Sequence, residues 1–157
     1  MEFRDLIERF AEKVGGGDPA FDGEDICHLT IAERDVGFMS VPQLDRLLAW
    51  TVVGQKPETG VEPFYEQLLK ANFMGRALPS GAFSLSDDGF VYAHCTFAES
   101  ATGSDELAVG VDRFLTAVAD WADLTRDYAG LKAAEQARRQ DDHVSETEFI
   151  RAGFLQV

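Results

Sequence analysis

Residues 61–97 set an amphipathic helix directly before a two-stranded hairpin, and that order excludes most folds open to a 157-residue chain. Phe64, Leu68 and Ala71 recur on one stripe of the helix, with Tyr65, Leu69 and Phe73 on a neighbouring stripe. Asn72 to Gly75 provide a left-handed stop. A strand follows at Gly81–Ser86, then an Asp87-Asp88-Gly89 turn and a second strand at Phe90–Phe97. A helix packed on one sheet needs a single apolar stripe; a second stripe invites a second partner.

The flanking sequence extends this pattern. Phe3, Leu6, Ile7, Phe10 and Val14 recur at helical spacing, and Gly15-Gly16-Gly17 ends that helix. Asp18-Pro19 to Asp22-Gly23 reads as turn. From Asp25 the period becomes two, so Cys27, Leu29 and Ile31 face one way while Ile26, His28 and Thr30 face the other. Arg34-Asp35 allows a reversal into Val36–Val41, and Pro42 to Asp45 turn the chain into an apolar strand at Leu47–Val53. Phe38, Met39, Leu47, Leu48 and Trp50 cannot all face one layer, so either both faces are covered or one binds a partner. Ser104, as N-cap, opens a last helix whose stripe is Leu107, Val111, Phe114, Leu115, Val118, Trp121 and Ala122. Helix, three strands, helix, two strands, helix: this order predicts an α+β fold, a two-layer sandwich of a five-stranded antiparallel sheet and helices, followed by a tail. In that tail Ser145-x-x-Glu148 is a capping-box pattern before Phe149, Ile150, Phe154 and Leu155. Four large apolar residues near the chain's end are expected to rest on an apolar surface, such as that around Met39 and Trp50, until a bound partner displaces them.

Composition narrows the partners. Fourteen Lys and Arg against twenty-eight Asp and Glu leave a net charge of −14, which repels phosphate backbones and anionic lipid, so neither nucleic acid nor membrane is an expected partner. The N-terminus is charged from Glu2 and lacks the apolar segment of a signal peptide, and Cys27 and Cys95 form no disulfide framework. These features predict a cytoplasmic, reduced protein.

Chemistry is sparse. Cys27-His28 and His94-Cys95 suggest zinc at first sight, but adjacent strand residues point apart, so neither pair chelates or forms a nucleophilic dyad within its strand. The acidic group around Gly23 lacks calcium-loop spacing, and Gly15-Gly16-Gly17 lacks the Lys-Ser/Thr of a phosphate loop. No catalytic residue, metal ligand or cofactor is predicted.

Leu68-Leu69-Lys70-Ala71-Asn72-Phe73-Met74-Gly75 leading into the hairpin resembles the middle of the class I type III secretion chaperones, the family of the Tir chaperone. The resemblance spans about residues 3–127. It implies a chaperone-like domain at 1–130 and a helical extension or tail at 131–157. It also implies a non-enzymatic homodimer that binds the N-terminal segment of a secreted effector in extended form, prevents its aggregation and keeps it competent for secretion, with components of the secretion apparatus as further partners. Carried over by element, effector contacts fall on Phe3, Ile7, Phe10, Phe38, Met39, Leu48 and Trp50. Dimer contacts fall on Tyr65, Leu69, Phe73, Phe83 and Leu85. The alternatives are a homodimeric scaffold of the same fold outside secretion, and a small enzyme built from residues discounted above.

Overall fold

Phe3–Val14 form helix α1, which buries Phe3, Leu6, Ile7, Phe10 and Ala11 at helical spacing. Gly15 ends it at φ 64°, a conformation that costs a residue with a Cβ but not glycine. The Gly16 N–H then reaches back to the Ala11 carbonyl at 3.1 Å, the bond that closes a Schellman turn. The computed structural model describes residues 2–57 and 61–121, all within one unit, Met1–Arg126. The tail helix expected from Ser145 and the contact proposed for it lie outside the described residues.

Six strands follow: β1 (Ala20–Asp22), β2 (Ile26–Ile31), β3 (Arg34–Val41), β4 (Arg46–Gln55), β5 (Gly81–Leu85) and β6 (Phe90–Ala98). They make one antiparallel sheet in the order β1-β2-β3-β4-β6-β5. Helix α2 (Val61–Asn72) lies between β4 and β5 in the chain, and α3 (Ser104–Trp121) follows β6.

The sequence predicts five strands; the sheet has six. The addition is β1, in the stretch read as turn. Three residues are too few to show a period of two, and only Phe21 among them turns its side chain to the core. What keeps Phe21 there comes from α1: Phe3 meets its ring edge-on at 6.3 Å, and the Arg4 guanidinium stands 3.9 Å from its centroid. A cation–π contact of that kind contributes roughly 0.5–1 kcal/mol. Local sequence does not display it.

The β2–β3 reversal also departs from expectation. It falls at Ala32-Glu33, with φ of 48° and 65°, while Arg34 pairs with Ile31 and belongs to β3. The core decides this: the observed register sets Cys27 opposite Phe38 and Leu29 opposite Val36, all on the helix-covered face. Two non-glycine residues in the left-handed region carry strain that a two-residue turn normally avoids with glycine. Glu33→Gly is therefore expected to raise stability by about 0.5–1 kcal/mol, read as a higher urea midpoint at unchanged slope.

Cys27, Leu29, Phe38, Leu47, Ala49, Phe83, Val91, Ala93 and Cys95 pack against the buried stripes of α1, α2 and α3. Phe10 and Phe38 meet at its centre, ring centroids 5.4 Å apart. On α2 the buried residues are Phe64, Leu68 and Ala71, the stripe the sequence assigns to the sheet. On α3 they are Leu107, Val111, Phe114 and Val118. The α3 cap is Gly103 rather than Ser104: its carbonyl accepts from Leu107 N–H at 2.9 Å, and its own N–H donates to Glu106 Oε2 at 3.1 Å.

Candidate functional site

Because strand side chains alternate, the sheet has a second face, turned away from the helices. Two rows of register partners cross its middle. One runs Ile26, Met39, Leu48, Thr96; the next runs His28, Gly37, Trp50, His94, Ala82. Beyond Asp22, which pairs with Ile26 at the β1 end, neither row carries an Asp, Glu, Lys or Arg. Met39, Leu48 and Trp50 are only 2%, 3% and 8% exposed, yet none belongs to the core that the three helices build.

The flat centre of this face depends on Gly37. A Cβ there would stand 2.2 Å from Trp50 Cε2, so the indole lies directly over β3 only because that position has no side chain. His28 meets the same indole edge-on at 5.7 Å, and His94 pairs with Trp50 on the other side. The two histidines weighed as metal ligands instead flank a tryptophan. Among the described residues no group of three His, Cys, Asp or Glu is placed to hold a metal ion.

The cysteines lie on the opposite face, as the period of two predicts. Burial pushes the thiols of Cys27 and Cys95 up to about 12, so neither is a nucleophile near neutral pH. Burial acts in the other direction on His94 and holds its pKa below the ordinary 6.5. The unfolded chain therefore binds a proton at a higher pH than the folded one does. Stability from this group is complete above about pH 6.5 and falls as pH drops toward the folded value, below which it changes no further. His94→Gln is expected to flatten that part of the stability profile below about pH 6.5, measured by urea titration at each pH. An unchanged slope would show that other groups set it.

A second apolar surface lies at the end of α2. Leu69, Phe73 and Met74 are 71%, 64% and 86% exposed on adjacent turns. Met74 has φ 56°, a conformation costing on the order of 1 kcal/mol for a non-glycine residue, and it turns its side chain into solvent. Glu66 and Lys70 flank the patch as an exposed ion pair at 2.6 Å, which holds the Glu66 carboxyl below its usual range. Asn72, the last residue of α2, bonds the backbone of β5: its Nδ2 donates to the Phe83 carbonyl at 2.9 Å, and its Oδ1 accepts from Phe83 N–H at 2.7 Å.

The structure separates the predicted site residues. Phe3, Ile7, Phe10 and Phe38 are core residues of this domain. Met39, Leu48 and Trp50 share the second sheet face. Leu69 on α2 and Phe73 just after it are exposed, and Tyr65 is half-buried against Phe64, ring centroids 5.9 Å apart. Phe83 is buried with its ring 5.5 Å from that of Trp121, and half-buried Leu85 packs against the same core. Sequence reasoning overlooked Met74 and Asn72 as working residues. The Met74-Gly75 pair, at the point where the helix must stop, was the available signal.

Among the described residues the α+β sandwich thus leaves an apolar second sheet face and an apolar helix end outside the helix-covered core. The chain belongs to the Tir chaperone protein (CesT) family, whose sequence model matches residues 5–122. No curated protein sequence matches the chain. Among solved structures it is similar to the ExsC–ExsE complex, with TM-score 0.64 and 17% identity over 82% of this chain and 100% of that one. The Yersinia pestis type III secretion chaperone SycH, bound to a stable fragment of YscM2, gives 0.56 and 19% over 74% and 96%. The heterodimeric ExoU–SpcU complex from the type III secretion system of Pseudomonas aeruginosa gives 0.57 and 16% over 76% and 96%. At these identities the likeness shows a shared fold. No helix among the described residues is long and apolar enough to cross a membrane.

Proposed function

We propose that this member of a chaperone family acts in the cytoplasm on a type III effector, binding the effector's N-terminal segment in extended form, preventing its aggregation and keeping it fit for secretion. Membership of the family over residues 5–122 carries this reading. SycH, of the same fold, is a type III secretion chaperone bound to a fragment of YscM2, and the two rows, uncharged apart from Asp22 at the β1 end, give an extended apolar segment a face of matching chemistry. Backbone groups at the sheet's edge serve any client sequence, while apolar side chains select among clients. Nothing in this role needs catalysis. Met39, Leu48 and Trp50 would touch the client. Phe3, Ile7, Phe10 and Phe38 would act from beneath, holding α1 and the sheet in shape. The exposed end of α2 would join two copies.

The test begins with co-purification from the native cell and identification of the bound protein. Its N-terminal segment is then titrated against the chaperone by calorimetry. Binding is expected to weaken more than about tenfold in Trp50→Ala and in Met39→Asp, each first checked by circular dichroism for a native fold because both side chains are buried, with only a minor effect of salt. Normal binding by both variants, combined with loss of wild-type binding at moderate salt, would move the site to the acidic surface. Binding through a folded domain of the captured protein, rather than its N-terminal segment, would overturn the reading itself.

A further inference from the structure

β5 ends the sheet, and an end strand offers its outward N–H and C=O groups to any chain able to pair with them. In this strand three of those groups are already engaged, at Gly81 and Phe83. Thr96 N–H bonds the Ser80 carbonyl and Ser86 N–H bonds the Phe90 carbonyl, so by alternation residues 81, 83 and 85 present their backbone groups outward. The Gly81 N–H is taken by the Leu78 carbonyl at 3.0 Å. Both groups of Phe83, the middle residue, are taken by Asn72. A primary amide carries one donor face and one acceptor at about the spacing of a peptide group, so Asn72 occupies the place one residue of an added strand would take.

The sheet's other end is built differently. β1 pairs only with Ile26, Cys27 and His28 and does not extend along Leu29–Ile31 of β2. Closing β5 also matters more than usual, because Phe73 and Met74 stand exposed immediately after the clip. An open edge beside an exposed apolar patch favours open-ended association.

We propose that Asn72 is a specificity-determining residue that closes the β5 edge to strand addition, so that any association at this end of the sheet runs through the side chains of Leu69, Phe73 and Met74. The proposal deepens the self-association reading above but is tested apart from it. The mass of the wild-type chain tests that reading, and the difference between variants tests the clip.

Two substitutions separate edge closure from simple stabilisation. Asn72→Ala removes both bonds and leaves the edge open. Asn72→Asp keeps the acceptor for Phe83 N–H and puts a charge on the edge, which disfavours pairing. In sedimentation velocity from micromolar to submillimolar concentration, the wild type and N72D are expected to keep one mass, whereas N72A grows beyond it with concentration. N72A holding the wild-type mass, or N72D associating as far as N72A, overturns the proposal, because a merely stabilising side chain would leave the two variants alike. Should N72A lose its circular-dichroism signature, Asn72→Ser, too short to span both Phe83 groups, replaces it under the same criteria. Amide exchange in the wild-type chain decides independently. A Phe83 amide as slow as the interior ladder supports the clip, and one that exchanges at the rate of an open edge overturns it.

Discussion

Replacing Phe73 by aspartate is expected to yield a folded monomer of 17.3 kDa, where the wild-type chain in micromolar solution is expected to have about twice that mass. Phe73 and its neighbours Leu69 and Met74 form an apolar patch that the chain's own core leaves exposed. In a two-fold contact the patch meets its copy, so each substitution acts twice. An unpaired carboxylate there costs several kcal/mol, enough to raise the dissociation constant by more than about a hundredfold. Because the side chain is exposed in the single chain, the folding stability of F73D stays within about 0.5 kcal/mol of the wild type. Light scattering coupled to gel filtration reads the mass, and thermal denaturation at low concentration reads the fold. A wild-type monomer removes the dimer; a dimeric F73D moves it to another surface.

Phe10→Ala has an effect of similar size on a different quantity. The ring is wholly inside the core, edge-on to Phe38, and its removal leaves a cavity between α1 and the sheet. The expected loss is about 3–5 kcal/mol, a large part of the roughly 5–15 kcal/mol that holds a domain of this size together. Urea titration reads it as a lower midpoint. The fraction that stays folded is expected to bind client as the wild type does, which sets Phe10 apart from Trp50. If F10A keeps its stability and loses the client, Phe10 is a contact, as the resemblance to the secretion chaperones first suggests.

Two features show how far local pattern reaches. The stripes of α2 were legible because helical period alone sorts Phe64, Leu68 and Ala71 from Leu69 and Phe73; the structure buries the first set and exposes Leu69 and Phe73. The split of Cys27 from His28 and of His94 from Cys95 was legible for the same reason, since a strand allows two directions only. β1 was not legible, being three residues between turn signals. Nor was the binding of the β3–β4 corner to the end of β6. There the Asp45 carboxylate accepts from Ser100 N–H at 2.7 Å and Ser100 Oγ at 2.9 Å, and Ser40 donates to Glu99 at 2.7 Å. Those partners stand 55 and 59 residues apart in the chain.

By itself, then, the sequence determined the kinds and order of every described element longer than β1 and the 3-10 turns, which residues of each share a face, and the family resemblance carried by Leu68–Gly75. All of these depend on spacings within a few residues, where periodicity and turn chemistry act. Tertiary structure alone decided which apolar face became core and which became surface. It assigned Phe10 and Phe38 to the interior, laid Trp50 over Gly37, and turned Asn72 onto the edge of β5. Each of those outcomes depends on which distant strand or helix arrives opposite, and a local pattern carries no record of that.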